Sequence, residues 1–468
     1  MTLTDPTLRL SEADFALIRK YDRPGPRYTS YPPANHFTEA APVETLVADC
    51  RSANPLSLYF HIPFCEQLCW FCGCHMTTSL NHDLGAQYVE TLIEEMAVTA
   101  RHTDLARPVV QIHLGGGTPN FLTPEQIDRF STALREQFAI ADDAEISVEL
   151  DPRHLTPEHV AALRRLGVNR ASFGVQDCNE DVQRAIHRVQ PVEMNLAAMA
   201  MLREGGVASI NVDLMYGLPL QTLPKFAWTL EQVLAMEPDR FAVFNYAHVP
   251  WMKPQQKILE RHPLPKGEEK LRLLKLIIET LTGAGFHYIG MDHFARAEDE
   301  LVRAQQEGTL QRNFQGYSTR GGADIFAFGV SGISQTPVTY RQNLKTLPEY
   351  RAAIADDRLP VLRGYLLTDE DRLRRAVIMQ LMCNLSLDFA AFSAGGPLEA
   401  AGIPAPADFC SAFAAELALL EPMAHDGLLS RSAGGIRINE LGRLFIRNIA
   451  MVFDAHLSNA ENRYSRTV

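Results

Sequence analysis

Four cysteines fall within ten residues of this chain, Cys65, Cys69, Cys72 and Cys74, in the run YFHIPFCEQLCWFCGCH. Thiolates are soft ligands suited to iron–sulfur clusters, zinc or copper(I). Structural zinc sites usually draw four ligands from two separated pairs. Here three cysteines at spacings of four and three can cap three corners of a cubane and leave one iron without a protein ligand. A chelating small molecule can bind that open iron and receive an electron. The other four cysteines, Cys50, Cys178, Cys383 and Cys410, are scattered. A lone cysteine is usually a small buried hydrophobe, and a disulfide framework belongs to small secreted chains. The packed thiols point to a metal.

The elements that must position them follow from periodicity. Short apolar runs rich in β-branched or aromatic residues occur at 56–61, 109–114, 145–150, 170–175, 209–215, 240–245 and 286–291, and read as strands. Helical stretches between them include 84–102, 124–138, 157–166, 193–204 and 267–283. Thr123 before Pro124 and Thr156 before Pro157 are good helix caps. Strand–helix alternation at this spacing predicts parallel strands with right-handed crossovers, and a full or partial βα barrel is the economical result. Barrel active sites are built at the carboxyl ends of the strands. The cysteine loop follows the first strand and Gly115-Gly116-Gly117-Thr118-Pro119 the second. Glu149 and Asp151 end the third, Gln176 and Asp177 follow the fourth, Asp213 sits late in the fifth, and Asn245 to His248 follow the sixth.

The expected fold class is α/β: a partial (βα) TIM-like barrel with an extended N-terminal arm and a mainly helical C-terminal domain. The boundaries read from sequence are 1–45 for the proline-rich arm, 46–360 for the barrel and 361–468 for the helical part. That last part ends in a Gly-Gly turn between two short strands and a helix, a pattern suggestive of a winged helix. The chain has 468 residues, 44 Lys and Arg against 56 Asp and Glu, and a net charge of −12. That charge disfavours nucleic acid and requires local cations wherever an anionic substrate binds. No apolar run reaches the length of a membrane span, and the first residues lack a signal-peptide pattern. A cytoplasmic protein without a membrane span is expected.

The cysteine spacing after a first strand is the signature of the radical S-adenosylmethionine superfamily. Together with HLGGGTPNFL, SVELDPR, FGVQD, NVDLMYGLP, FNYAHVPWMKPQQ, RNFQGY and GVSGIS, it resembles the bacterial oxygen-independent coproporphyrinogen III oxidase (dehydrogenase) family. The resemblance runs from about residue 21 to 334 and more weakly beyond. It implies a [4Fe–4S] cluster on Cys65, Cys69 and Cys72, with S-adenosylmethionine on the fourth iron. It also implies a catalytic part for Cys74, whose plain alternatives are a redundant thiol or an alternative ligand. Tyr59, Phe71, Gly116, Gly117, Thr118, Glu149 and Ile333 match a first S-adenosylmethionine site. Gln176, Arg188, Asp213 and Ala247 match a second, so two molecules are expected. A buried aromatic is the plain alternative for Phe71, Ile333 reads equally well as core, an arginine in a loop such as Arg188 is more often a solvated charge, and His61 and His75 are left without a role.

The reaction implied is oxidative decarboxylation of two propionates of coproporphyrinogen III to vinyl groups, giving protoporphyrinogen IX in heme biosynthesis. A 5′-deoxyadenosyl radical removes the hydrogen, and a flavodoxin- or ferredoxin-type donor supplies the electron to an expected monomer. The alternatives are a heme-binding chaperone on the same barrel, without oxidase activity, and another radical reaction such as methyl transfer. Arg19, Lys20, Arg23 and Arg27 of the arm are expected to meet substrate carboxylates, with Tyr28 and Tyr31 against the macrocycle.

Overall fold

The computed structural model describes residues 9–48, 50–399, 402–457 and 464–467. Residues 1–8 of the expected arm lie outside the described residues. The chain divides into two compact units, one comprising Thr38–Ile277 and Ala323–Tyr365, the other Met1–Phe37, Ile278–Gly322 and Leu366–Val468.

The first unit is built on six strands in chain order: β1 Leu56–Ile62, β2 Val109–Gly116, β3 Ile140–Leu150, β4 Arg170–Gln176, β5 Ser209–Tyr216 and β6 Arg240–Asn245. Each pairs in parallel with its neighbour in sequence. A later strand, β7 Asp324–Phe328, adds in parallel on the free side of β1. Antiparallel strands β8 Ile333–Gln335 and β9 Thr339–Asn343 follow it. Helices cover the connections as the caps predict. Thr123 accepts from the Gln126 amide in a capping box at the start of Pro124–Gln137, and Thr156 accepts from the His159 amide at the start of Pro157–Leu166. The six-strand βα run makes the partial TIM-like barrel.

Strands buried on both faces ordinarily read as continuous apolar runs. Here β5 alternates instead: Ile210, Val212 and Leu214 are buried, while Ser209, Asn211 and Asp213 are only partly so. In β4, Ala171, Phe173 and Val175 are buried and alternate with Arg170, Ser172 and Gly174. Side chains two apart share a face. One face of the sheet is therefore apolar and the other lined by polar groups.

In the second unit, helix Glu12–Tyr21 is held by a Ser11 capping box and buries Phe15 and Ile18. Helix Asp369–Asn384 leads to a three-stranded antiparallel sheet ordered Ser386–Asp388, Gly435–Ile438, Leu429–Ser432. Gly435 is required there, because a Cβ would stand 2.1 Å from the Leu387 carbonyl oxygen.

This unit departs from the sequence reading in its strand pairing and in its packing. The run at 286–291 forms a strand as expected and belongs to the main sheet, but it is not parallel: Phe286–Gly290 turns back into His293–Arg296 as an antiparallel hairpin, with Met291 at φ 55° making the turn. Contacts also group the chain differently from the sequence boundaries, since Ile278–Gly322 and the stretch up to Phe37 pack with the C-terminal part. Finally, the arm's aromatic rings are core. Tyr28 and Tyr31 are fully buried; Tyr28 donates to Asp454 and the Tyr31 hydroxyl accepts from the Ala455 amide. Arg27 pairs with Asp292 and Lys20 with Asp426, while Arg447 donates to the carbonyls of Gly25 and Pro26. Tyr31→Ala should cost about 3–5 kcal/mol of this unit's stability, as large aromatic truncations do, read as a loss of denaturant midpoint at constant slope.

Candidate active site

The polar face of the sheet carries a ladder of paired side chains. Tyr59 lies in register with His113, His113 with Ser147, Glu149 with Ser172, and Ser172 with Asn211. Tyr59 stacks on His113 with ring centroids 5.8 Å apart. The two imidazole nitrogens of His113 meet the Ser147 hydroxyl at 2.6 Å and Glu149 Oε1 at 3.3 Å. Asn211 donates to both Ser172 and Asp213, and Ser172 donates to Asp213. Glu149 is surrounded by protein, yet 47% of its side chain stays reachable by solvent, as in a concave site.

The two carboxylates differ in proton affinity. Burial, and then the negative charge of Glu149, push Asp213 up to about 7. Burial also opposes ionisation of Glu149, but the hydrogen bond and charge of His113 and the Gly116 amide outweigh it, and the group is held below its ordinary range.

The Gly-rich turn closes on this layer. Gly116 sits at φ 114°, and a Cβ there would come within 2.6 Å of the His61 ring. Its amide donates to Glu149 Oε2 at 3.2 Å. A Cβ on Gly117 would strike the Phe64 carbonyl oxygen at 2.7 Å. The Thr118 hydroxyl stands 3.3 Å from Cys65 Sγ. These glycines thus allow the turn to pack against the entry to the cysteine loop.

That loop is gripped from several sides. His61 is buried, and burial lowers its pKa to about 4, so it is neutral at pH 7. Because its Nε2 faces the His75 carbonyl at 2.8 Å, the proton belongs on Nε2. Its Nδ1 then accepts from the Tyr59 hydroxyl at 3.0 Å. His187 does the same at the other flank: Nδ1–H donates to the Leu68 carbonyl, Nε2 accepts from Gln67, and the ring stacks on Trp70. Behind β1, Tyr88 donates to the His61 carbonyl and accepts from the Val330 amide. Buried Glu95 accepts from the Gly329 amide, Tyr350 and Asn343. This anchors the GVSGIS turn that leads into Ile333.

Asp151 sits between two guanidiniums, Arg153 at 2.6 Å and Arg188 at 3.2 Å. Burial alone would raise its pKa, but the Arg188 charge and the Arg153 contacts hold it far below the usual carboxylate range. Both arginines also donate towards Cys69 Sγ, at 3.7 and 3.5 Å. Hydrogen bonds and charge around a sulfur are among the protein's levers on a cluster it ligates. Cys65, Cys69 and Cys72 are free of disulfides, and among the described residues no three His, Cys, Asp or Glu side chains are grouped to hold a single metal ion. The donor set fits an iron–sulfur cluster: three free thiols, one already flanked by two cations. Among the described residues Arg188 Nε is buried without a hydrogen-bond partner, a donor left for a ligand.

Residues 59–233 match the model of the radical SAM superfamily, and 367–445 that of the HemN C-terminal domain. Oxygen-independent coproporphyrinogen III oxidase of Synechocystis is 41% identical over all of both chains. The protein of that name in Escherichia coli is 45% identical over 95% of each. The solved structure of coproporphyrinogen III oxidase (HemN) from Escherichia coli superposes with a TM-score of 0.87 at 43% identity, covering 94% of this chain and 98% of the other. This chain belongs to the oxygen-independent coproporphyrinogen III oxidase family.

Within the oxidase family frame, the residues expected from sequence group unevenly. Tyr59, Glu149, Gly116, Gly117 and Thr118 adjoin one another along the ends of β1 to β3. Asp213 joins Ser172 and Asn211, while Arg188 joins Asp151 and Cys69. Gln176 takes φ 68° at a bulge opposite β5, next to Gly174, whose carbonyl accepts from Arg188. Phe71 packs on the core cluster of Val182, Ile186, Leu218, Tyr246 and Leu259. Ile333 and exposed Ala247 stand towards opposite ends of the strand order; being apolar, they offer surface rather than hydrogen bonds. Sequence reading missed the roles of His61, His113, Arg153, His187 and Gln256. A lone His or Gln carries no signal of its own, and the partners of most of these lie tens to well over a hundred positions away.

Proposed function

We propose that this chain oxidatively decarboxylates two propionate side chains of coproporphyrinogen III to vinyl groups, forming protoporphyrinogen IX in heme biosynthesis. One observation carries the reading: relatives named for this oxidase are 41–45% identical over 95–100% of the chain. That kinship favours the oxidase over a heme-binding chaperone. Cys65, Cys69 and Cys72 would hold a [4Fe–4S] cluster. When bound, cluster and S-adenosylmethionine supply the electron transfer and the 5′-deoxyadenosyl radical that removes a hydrogen atom. For each propionate, the β-carbon loses that hydrogen, the carboxylate leaves as carbon dioxide, and one electron passes to an external acceptor.

The chain's own residues position and shield. Tyr59, Phe71, Ile333 and the Gly116–Thr118 turn would frame the first S-adenosylmethionine. Glu149, ionised and open to the concavity, suits an ammonium or hydroxyl group. Gln176, Arg188, Asp213 and Ala247 would hold a second molecule; Asp213, titrating near neutrality, can accept from or donate to a ribose hydroxyl. Cys74, exposed next to the ligands, would serve turnover rather than ligation. A flavodoxin- or ferredoxin-type protein would deliver electrons. Eight unpaired cysteines suit a reducing compartment such as the cytoplasm. A monomer is proposed, and among the described residues no helix is long and apolar enough to cross a membrane.

The test is anaerobic turnover with coproporphyrinogen III, where release of two carbon dioxide molecules per porphyrinogen is expected; none would refute the assignment. The second site has its own test. Asp213→Ala should lower S-adenosylmethionine retained in equilibrium dialysis from two molecules per chain to one, with iron content unchanged. One molecule in both proteins would remove the second site.

A further inference from the structure

Beyond the ligands, one segment meets the cysteine loop along its carbonyl side. After β6 the chain runs through Trp251 and Met252 into the 3₁₀ segment Pro254–Arg261. Three side chains at its start donate to three carbonyls of the loop: Lys253 Nζ to Cys74 at 2.8 Å, Gln255 Nε2 to Cys72 at 2.9 Å, and Gln256 Nε2 to Phe71 at 2.9 Å. Gln256 is buried, and its Oε1 is fixed by the Val249 amide at 2.7 Å. Pro254 supplies a preset φ where the segment turns into its first helical position. The clamp therefore spans the loop from the residue before Cys72 to the second residue after it.

We propose that Lys253 sets the reduction potential of the cluster, as the charged member of this clamp, with Gln255 and Gln256 fixing the loop that carries Cys72. The inference rests on the reading that the loop holds a [4Fe–4S] centre. Gaining an electron makes such a centre more negative, so a neighbouring cation stabilises the reduced form. Net charge and hydrogen bonding around the sulfurs are the protein's levers on cluster potential. A carbonyl is neutral, so Lys253 keeps its full charge while bonded to Cys74. In a protein of net charge −12, a cation fixed here opposes the prevailing field. Lys253 is a positioning and electrostatic residue, not a ligand.

The test is a redox titration followed by electron paramagnetic resonance on the anaerobic, cluster-loaded full chain. Lys253→Gln keeps a donor but loses the charge. At a fixed ambient potential its reduced-to-oxidised ratio should fall about tenfold, the scale of one unit charge at this range, equal to about 59 mV for one electron. Lys253→Arg should restore the wild-type ratio. Gln255→Leu, with no change of charge, should leave the potential near wild type but release iron faster to a chelator. A K253Q ratio equal to wild type would overturn the proposal, as would a K253R protein shifted as far as K253Q. If K253Q and K253R both lost their iron, Lys253 would be a clamp alone and its electrostatic role would fall. A wild-type chain that binds no [4Fe–4S] centre would refute the cluster reading instead.

Discussion

Changing Cys65, Cys69 or Cys72 to Ser should remove essentially all cluster iron and all turnover, whereas Cys74→Ser should keep about four irons per chain and lose turnover. A serine oxygen is a harder and poorer ligand for iron than a thiolate, and a cluster held by the three proposed ligands would have no redundancy to absorb the loss. The asymmetry for Cys74 has a structural basis. Its contribution to Cys72 includes a hydrogen bond from its backbone amide to Cys72 Sγ at 3.4 Å, which serine retains. Iron analysis and the visible spectrum of anaerobic protein decide the matter. A colourless C74S variant would make Cys74 a ligand.

Asp151→Asn is the largest single loss of stability expected near the site, about 3–5 kcal/mol. Removing the anion strands two buried guanidiniums, Arg153 and Arg188, and an uncompensated buried charge costs that much. The loss reaches the cysteine loop, because Arg153 also donates to Gln67 and both arginines donate towards Cys69. The sign with pH follows from the depressed pKa of Asp151. The unfolded chain binds the extra proton first as pH falls, so the stabilisation is complete above the unfolded carboxylate's pKa. It is lost through the acid range below it. Wild-type and D151N denaturation midpoints should therefore converge in strong acid and separate above about pH 4. Parallel curves across that range would mean the carboxylate carries no such energy.

The six parallel strands were readable because their short apolar runs alternate with capped helices, and both the threonine caps at 123 and 156 stand where the sequence places them. The run at 286–291 has the same apolar character, yet pairs antiparallel with its immediate successor. Composition reports that a segment is a strand, not which neighbour it meets, and a two-residue turn at Met291 and Asp292 settles that locally. The expectation that the arm's rings meet substrate failed for a related reason. KYDRPGPRYTSYPP is too proline-rich for regular structure and reads as extended, but Asp292, Arg447 and Asp454 hold it from more than 250 positions away. In the site, the thiols announce themselves by spacing, while the groups that fix them do not. His61 matters because it reaches the carbonyl of His75, and Lys253 because it reaches that of Cys74. Only the folded chain makes those pairs.

The most direct test uses coproporphyrinogen III deuterated at the propionate β-carbons, with reconstituted protein, S-adenosylmethionine and a reductant under strict anaerobiosis. Mass spectrometry should find protoporphyrinogen IX, formed by loss of two carboxyl groups, and deuterium in the 5′-deoxyadenosine released. Unchanged porphyrinogen with tight heme binding, a methylated product, or 5′-deoxyadenosine free of deuterium would contradict the assignment.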